Sequence, residues 1–176
     1  MMKIFTTQLN GYFNRISEKE ELNIEDGARI LAQGLIGDGK LFVHGFQEME
    51  ALAIEATKGA DALNAELLLS NENLENITSV DRVLVCSRYA HDQEAIELAK
   101  AISEKNIPFV TIGALDPKQE GETAANYSDV HIDTKLLKPL IPGEDGERFG
   151  FPSTMVGLYA YYAVLFTIKE MMEEYE

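Results

Sequence analysis

Three short runs constrain the fold most: Lys40-Leu41-Phe42-Val43-His44-Gly45, Arg82-Val83-Leu84-Val85-Cys86 and Pro108-Phe109-Val110-Thr111-Ile112-Gly113. Each is largely apolar without alternation. A strand with one wet face alternates apolar and polar residues; one that is apolar throughout is covered on both faces. Helical stretches separate the runs. Residues 48–58 hold few helix breakers. Asp92 can cap a helix whose Ala95, Ile96, Leu98, Ala99 and Ile102 recur at helical spacing, and Asn106 stops it. Residues 65–69 and Asp129-Val130-His131-Ile132-Asp133 read as further strands. Strands alternating with helices predict an α/β chain with a parallel sheet clothed on both sides.

The ends of the chain are helical. Residues 3–17 place Ile4, Phe5, Leu9, Tyr12, Phe13 and Ile16 on one face. A second helix follows, with Asn23 as its cap, Ile24, Ala28, Leu31 and Leu35 among its apolar residues, and Gly37-Asp38-Gly39 as its stop. The expectation is one domain over residues 1–176, with 1–22 as an N-terminal packing helix. A polar segment, 134–152, leads to a terminal helix over about 153–168. Residues 149–168 carry no charge, but Gly150, Pro152, Ser153 and Thr154 break their start. The helical part spans roughly 24 Å against a hydrocarbon core of ~30 Å. It is therefore expected in the core or a subunit interface and not in a membrane. The N-terminus has no apolar stretch of signal-peptide length.

Charge narrows the function classes. Fifteen basic against thirty acidic residues leave a net charge of −15. Such a surface repels phosphate backbones and anionic lipid, so nucleic acid and membranes are not expected partners. Cys86 is the one cysteine, which excludes an internal disulfide and a four-thiolate zinc site. A reducing, cytoplasmic compartment fits that usage. His44, His91 and His131 lie forty or more residues apart, so no metal-ligand spacing is present. No Gly-x-Gly-x-x-Gly follows the first strand and there is no Walker lysine, so no cofactor is expected and a nucleotide-binding flavodoxin-like reading is the weaker one.

In an open parallel sheet, ligands bind beyond the carboxyl ends of the strands, where the strand order switches. Two loops fall there: His44-Gly45-Phe46-Gln47-Glu48-Met49 and Ser87-Arg88-Tyr89-Ala90-His91-Asp92. At this point the chain resembles a family. Residues 81–87, the following helix, and Asn106 to Gly113 resemble the centre of a sugar isomerase (SIS) domain. Tyr127-Ser128-Asp129-Val130-His131-Ile132-Asp133-Thr134 is similar to that family's segment ending Asp-Val-x-Ile-Asp. Phe151-Pro152-Ser153-Thr154 resembles the Pro-x-Ser-Thr opening of its last helix, and Lys40 to Gly45 its first strand and turn. The resemblance covers residues 24–172. It implies a three-layer αβα sandwich with a five-stranded parallel sheet of flavodoxin-like order, homodimerisation, and a small phosphorylated sugar as ligand; phosphoheptose isomerases are the nearest enzymes.

The chain departs from the family in both loops. Where the family has Ser-x-Ser-Gly-x-Thr, only Ser87 matches; where it has Gly-x-Gly-x-Ser, only Gly45 does. Glu48, Glu50, Asp92 and Glu94 stand near helix starts, where carboxylates cap amides and compete with a phosphate for them. Arg88 can grip a phosphate with two prongs or pair with Glu48 or Asp92. The expected substrate contacts are Gly45, Phe46, Gln47, Ser87, Arg88, Tyr89, Ser153 and Thr154. Isomerisation needs a base beside a carbonyl. Glu55 lies near the family's glutamate and is the candidate, but the last helix has no histidine to partner it. Two readings result: a phosphosugar-binding protein, extending to a phosphoheptose-type isomerase, or a non-catalytic sensor or interaction module on the same scaffold.

Overall fold

The computed structural model describes residues 1–68 and 71–175. Two helices come first, α1 (Met2–Lys19) and α2 (Glu21–Ile36). The spacing of α1 buries Leu9, Tyr12 and Ile16, while Ile4 stays exposed. The second helix starts earlier than Asn23 predicts. Asn23 lies inside its first turn and donates to Glu20 Oε2 at 2.9 Å. The reason is Glu20, 5% exposed at the helix junction, whose carboxylate also accepts from Lys135 Nζ at 2.8 Å and the Asp133 amide at 3.2 Å. A buried carboxylate needs such partners, and Asn23 is drawn in as one of them.

The sheet follows. β1 (Leu41–Gly45) leads through a 3-10 turn (Gln47–Met49) into α3 (Glu50–Lys58). β2 (Ala65–Leu67) and α4 (Asn71–Asn76) come next; Leu69, expected at the end of that strand, lies outside the described residues. Then come β3 (Arg82–Tyr89), α5 (Gln93–Glu104), β4 (Phe109–Ala114) and β5 (Val130–Asp133). A hairpin, β6 (Ile141–Pro142) with β7 (Arg148–Phe149), sits inside the segment expected to be irregular. The chain ends in α6 (Ser153–Glu173), one turn and more beyond the expected stop.

The five main strands are all parallel, in the order β2-β1-β3-β4-β5. This is the expected three-layer αβα sandwich of flavodoxin-like order. Unbroken apolar runs are explained by two cores. Leu41, Val43, Leu84, Cys86, Val110, Ile112 and Ile132 face α1, α2, α3 and α6. Phe42, Val83, Val85 and Phe109 face α5 and its Ala95, Ala99 and Ile102. On α2, a Cβ at Gly27 would lie 3.3 Å from Val110 Cγ1, so this helix lies close on the sheet. Among the described residues no helix is long and apolar enough to cross a membrane. The apolar α6 instead buries Val156, Ala160, Tyr161, Val164, Leu165 and Ile168 in the first core.

Candidate functional site

Strand order reverses between β1 and β3, and their carboxyl ends carry the two loops singled out above. Gly45 pairs with Cys86 across the two strands, and the Phe46 amide donates to the Cys86 carbonyl at 2.9 Å. The first loop then doubles back on itself. A Cβ at Gly45 would sit 2.2 Å from the Met49 carbonyl oxygen, so only glycine allows the 3-10 turn to close here. Gln47, at φ 49°, occupies the left-handed region that side chains seldom adopt.

The second loop is not a loop until Ala90. Strand β3 runs on to Tyr89, past its expected end at Cys86. Against β4 the register moves from Cys86↔Ile112 to Tyr89↔Ala114, so three steps on β3 match two on β4. That extra residue is a bulge, which re-aims the side chains it contains. Ser87 Oγ donates to the Tyr89 carbonyl at 2.9 Å and staples the bulge. A Cβ at Gly113 would stand 2.8 Å from the Ser87 carbonyl oxygen, so β4 gives way at that point.

The bulge carries Arg88 toward the first loop. Its Nε and Nη2 donate to Glu48 Oε1 and Oε2 at 2.6 and 2.7 Å, a two-pronged pair. The start of α6 closes the third side. Ser153 Oγ donates to Glu48 Oε1 at 2.6 Å and Thr154 Oγ1 to the Glu48 carbonyl at 3.2 Å. The Arg88 hydrogen bonds hold the Glu48 carboxyl down at about 2, with burial opposing them and Ser153 assisting. A second carboxylate repeats the pattern: Asp92 Oδ2 accepts the Tyr89 amide at 3.2 Å. Aromatic rings frame the site. Tyr89 stacks on His91 with centroids 5.0 Å apart and meets Phe151 edge-on at 5.9 Å. Burial pushes the Tyr89 phenol up, so it stays a neutral hydroxyl.

Beside Glu48 lies a cleft of about 500 Å³ lined by His44, Phe46, Gln47, Glu50, Leu68 and Glu94 among others. His44 Nδ1 donates to the Leu68 carbonyl at 2.6 Å. A larger groove, about 770 Å³, runs between α1, α2 and α6, away from the strand ends.

Eight of the nine residues named from the sequence are thus brought to one edge of the sheet. Gly45, Phe46 and Gln47 form the first loop, Ser87, Arg88 and Tyr89 the bulge, and Ser153 with Thr154 the start of α6. Glu55 is elsewhere. It accepts from Tyr162 at 2.7 Å, nine residues beyond Ser153, or roughly 13 Å along the helix. The residue at the centre, Glu48, was read from the sequence as a capping carboxylate or a partner of Arg88. Its role as the meeting point of three segments depends on Ser153, 105 residues away. Among the described residues no group of three His, Cys, Asp or Glu side chains can hold a metal.

A five-stranded parallel sheet of this order, with loops from β1, β3 and the last helix meeting at its carboxyl edge, defines an SIS-type domain. Solved structures agree on the fold. A protein of E. coli CFT073 in complex with a phosphosugar superposes with a TM-score of 0.70 at 12% identity, over 97% of this chain and 89% of that one. The phosphoheptose isomerase GmhA from Neisseria gonorrhoeae gives 0.68 at 14%, over 96% and 97%. The Vibrio vulnificus NanR protein complexed with ManNAc-6P gives 0.69 at 12%, over 99% of this chain and 62% of that one. Within that class the sequence is more particular. Residues 1–172 match the family described as a domain of unknown function, DUF2529, and the chain belongs to that family. It is 43% identical over 175 residues to the uncharacterized protein YwjG of Bacillus subtilis (strain 168), covering 99% of each chain.

Proposed function

We propose that this protein binds a small phosphorylated sugar at the Gly45–Ser87–Ser153 edge and acts as a metabolite-sensing module, without isomerising its ligand. The carrying observation is that Arg88 and Ser153, from two distant segments, already grip a carboxylate oxygen at 2.6 Å each. Donors arranged this way suit a phosphate oxygen equally. The cleft beside them offers His44, Gln47, Glu50 and Glu94 to sugar hydroxyls. Phosphosugars in the E. coli CFT073 and Vibrio vulnificus relatives support the ligand class. Sensing is favoured over turnover by Glu55, which is engaged by Tyr162 far down α6 and faces no histidine on that helix. In this reading the whole chain forms one SIS-like unit, with α1 packed against α6 through the shared core.

The test is calorimetric titration with a panel of sugar phosphates and their unphosphorylated parents, with NMR following any aldose–ketose exchange. At least one sugar phosphate is expected to bind, its parent sugar not, and Arg88→Met to weaken binding at least about tenfold, the cost of a charged hydrogen-bonding partner. No product isomer is expected. Absence of binding across the panel, or binding indifferent to Arg88, overturns the proposal. Turnover abolished by Glu55→Gln would restore the isomerase reading.

A further inference from the structure

We infer that Glu48 is an intramolecular competitor for the ligand's anion: it occupies Arg88 and Ser153 until a ligand displaces it, so ligand arrival and release of the first loop are one event. The inference rests on the phosphate-site reading above and adds to it a device that sets affinity.

Three observations carry it. First, Glu48 uses the groups a bound phosphate oxygen would need. Both carboxylate oxygens face the Arg88 fork, and Oε1 also takes the Ser153 hydroxyl. Ligand and side chain cannot hold that fork in the same way at once. Second, the pair is within reach of solvent. The Arg88 and Glu48 side chains are 39% and 30% exposed. Partly exposed ion pairs contribute little net stability, so exchanging one anion for another there is cheap. Third, the segment carrying Glu48 is lightly held on one side and firmly on the other. Gln47 is exposed, left-handed at φ 49°, and tied by a 3.4 Å bond to Glu94. Met49 is 1% exposed and packs against Gly157 of α6, where an added Cβ would meet its Cε at 2.6 Å. Release is therefore confined to residues 46–48, with Met49 as the fixed end. The Thr154 contact to the Glu48 carbonyl, which ties this turn's backbone to α6, must loosen for that release.

A self-occupied site lowers the apparent affinity by the fraction of molecules in which the site is open. Replacing the competitor by a neutral side chain of the same size should raise it. The experiment titrates inorganic phosphate into the wild type and Glu48→Gln, and measures hydrogen exchange over residues 46–48 of the wild type with and without phosphate. The expected results are phosphate binding at least about tenfold tighter in Glu48→Gln, and faster exchange at 46–48 when phosphate is present. Equal affinity in the two proteins shows Glu48 to be a structural tie only; the inference then falls while the proposed function stands. No binding to either protein removes both. Should Glu48→Gln fail to fold, exchange in the wild type decides, and rates unmoved by saturating phosphate overturn the inference.

Discussion

At the scale of single residues, Glu48 and Arg88 couple charge to stability as well as to ligand. The folded Glu48 carboxyl sits at about 2, against its ordinary 4.5, because Arg88 hydrogen-bonds the charged form. A carboxyl depressed on folding lends stability that is complete above about 4.5 and drains away as pH falls toward about 2. With a side chain 30% exposed, solvent screening reduces the contribution to about 1–2 kcal/mol. Glu48→Gln should therefore be less stable than the wild type at neutral pH, and the gap should close between pH 4.5 and about 2. Chemical denaturation at stepped pH checks this; a gap constant across that range would show that charge has no part in it. The sequence offered Glu48 as one of four carboxylates near helix starts. It could not rank them, since rank depends on which one a distant arginine reaches.

At the scale of elements, β3 and α6 decide the site. One extra residue in β3 turns Arg88 toward Glu48, and the first turn of α6 brings Ser153 and Thr154 to the same point. Further along α6, Tyr161 is 1% exposed and its hydroxyl has no hydrogen-bond partner among the described residues. Burial accordingly pushes its phenol up. An unpaired buried hydroxyl costs about 1–3 kcal/mol. Tyr161→Phe is expected to raise stability by about 1 kcal/mol, read as an increase in Tm of several degrees. A lower Tm would reveal a buried water satisfying the hydroxyl. Helices and apolar strands were legible because their signals are periodic and local. The bulge after Cys86, the β6–β7 hairpin and the early start of α2 were not. Each is set by a contact with another part of the chain: Ser87 against β4, Ile141 opposite Phe149, and Glu20 against Lys135.

For the whole molecule, a net charge of −15 is the dominant long-range term. Self-repulsion on that scale opposes the compact state, and salt screens it. Tm should rise as sodium chloride is raised from about 10 mM to about 0.5 M, then level off as the Debye length falls below ~5 Å. A falling Tm would mean that attractive pairs such as Lys135–Glu20 outweigh the repulsion. The same charge explains why anion-seeking groups at the strand ends are answered from within: Glu48 and Asp92 are abundant local carboxylates next to scarce donors. The sequence by itself determined the layers. An apolar run that does not alternate must be buried on both faces, and helices at regular intervals must supply the cover. Only the tertiary structure decided what happens at the strand ends. Arg88 and Ser153 stand 40 and 105 residues from Glu48, and strand register with a one-residue bulge brings them within 2.6 Å of it. Proximity of that kind is a sum of rotations along the whole chain, and no local pattern of residues encodes it.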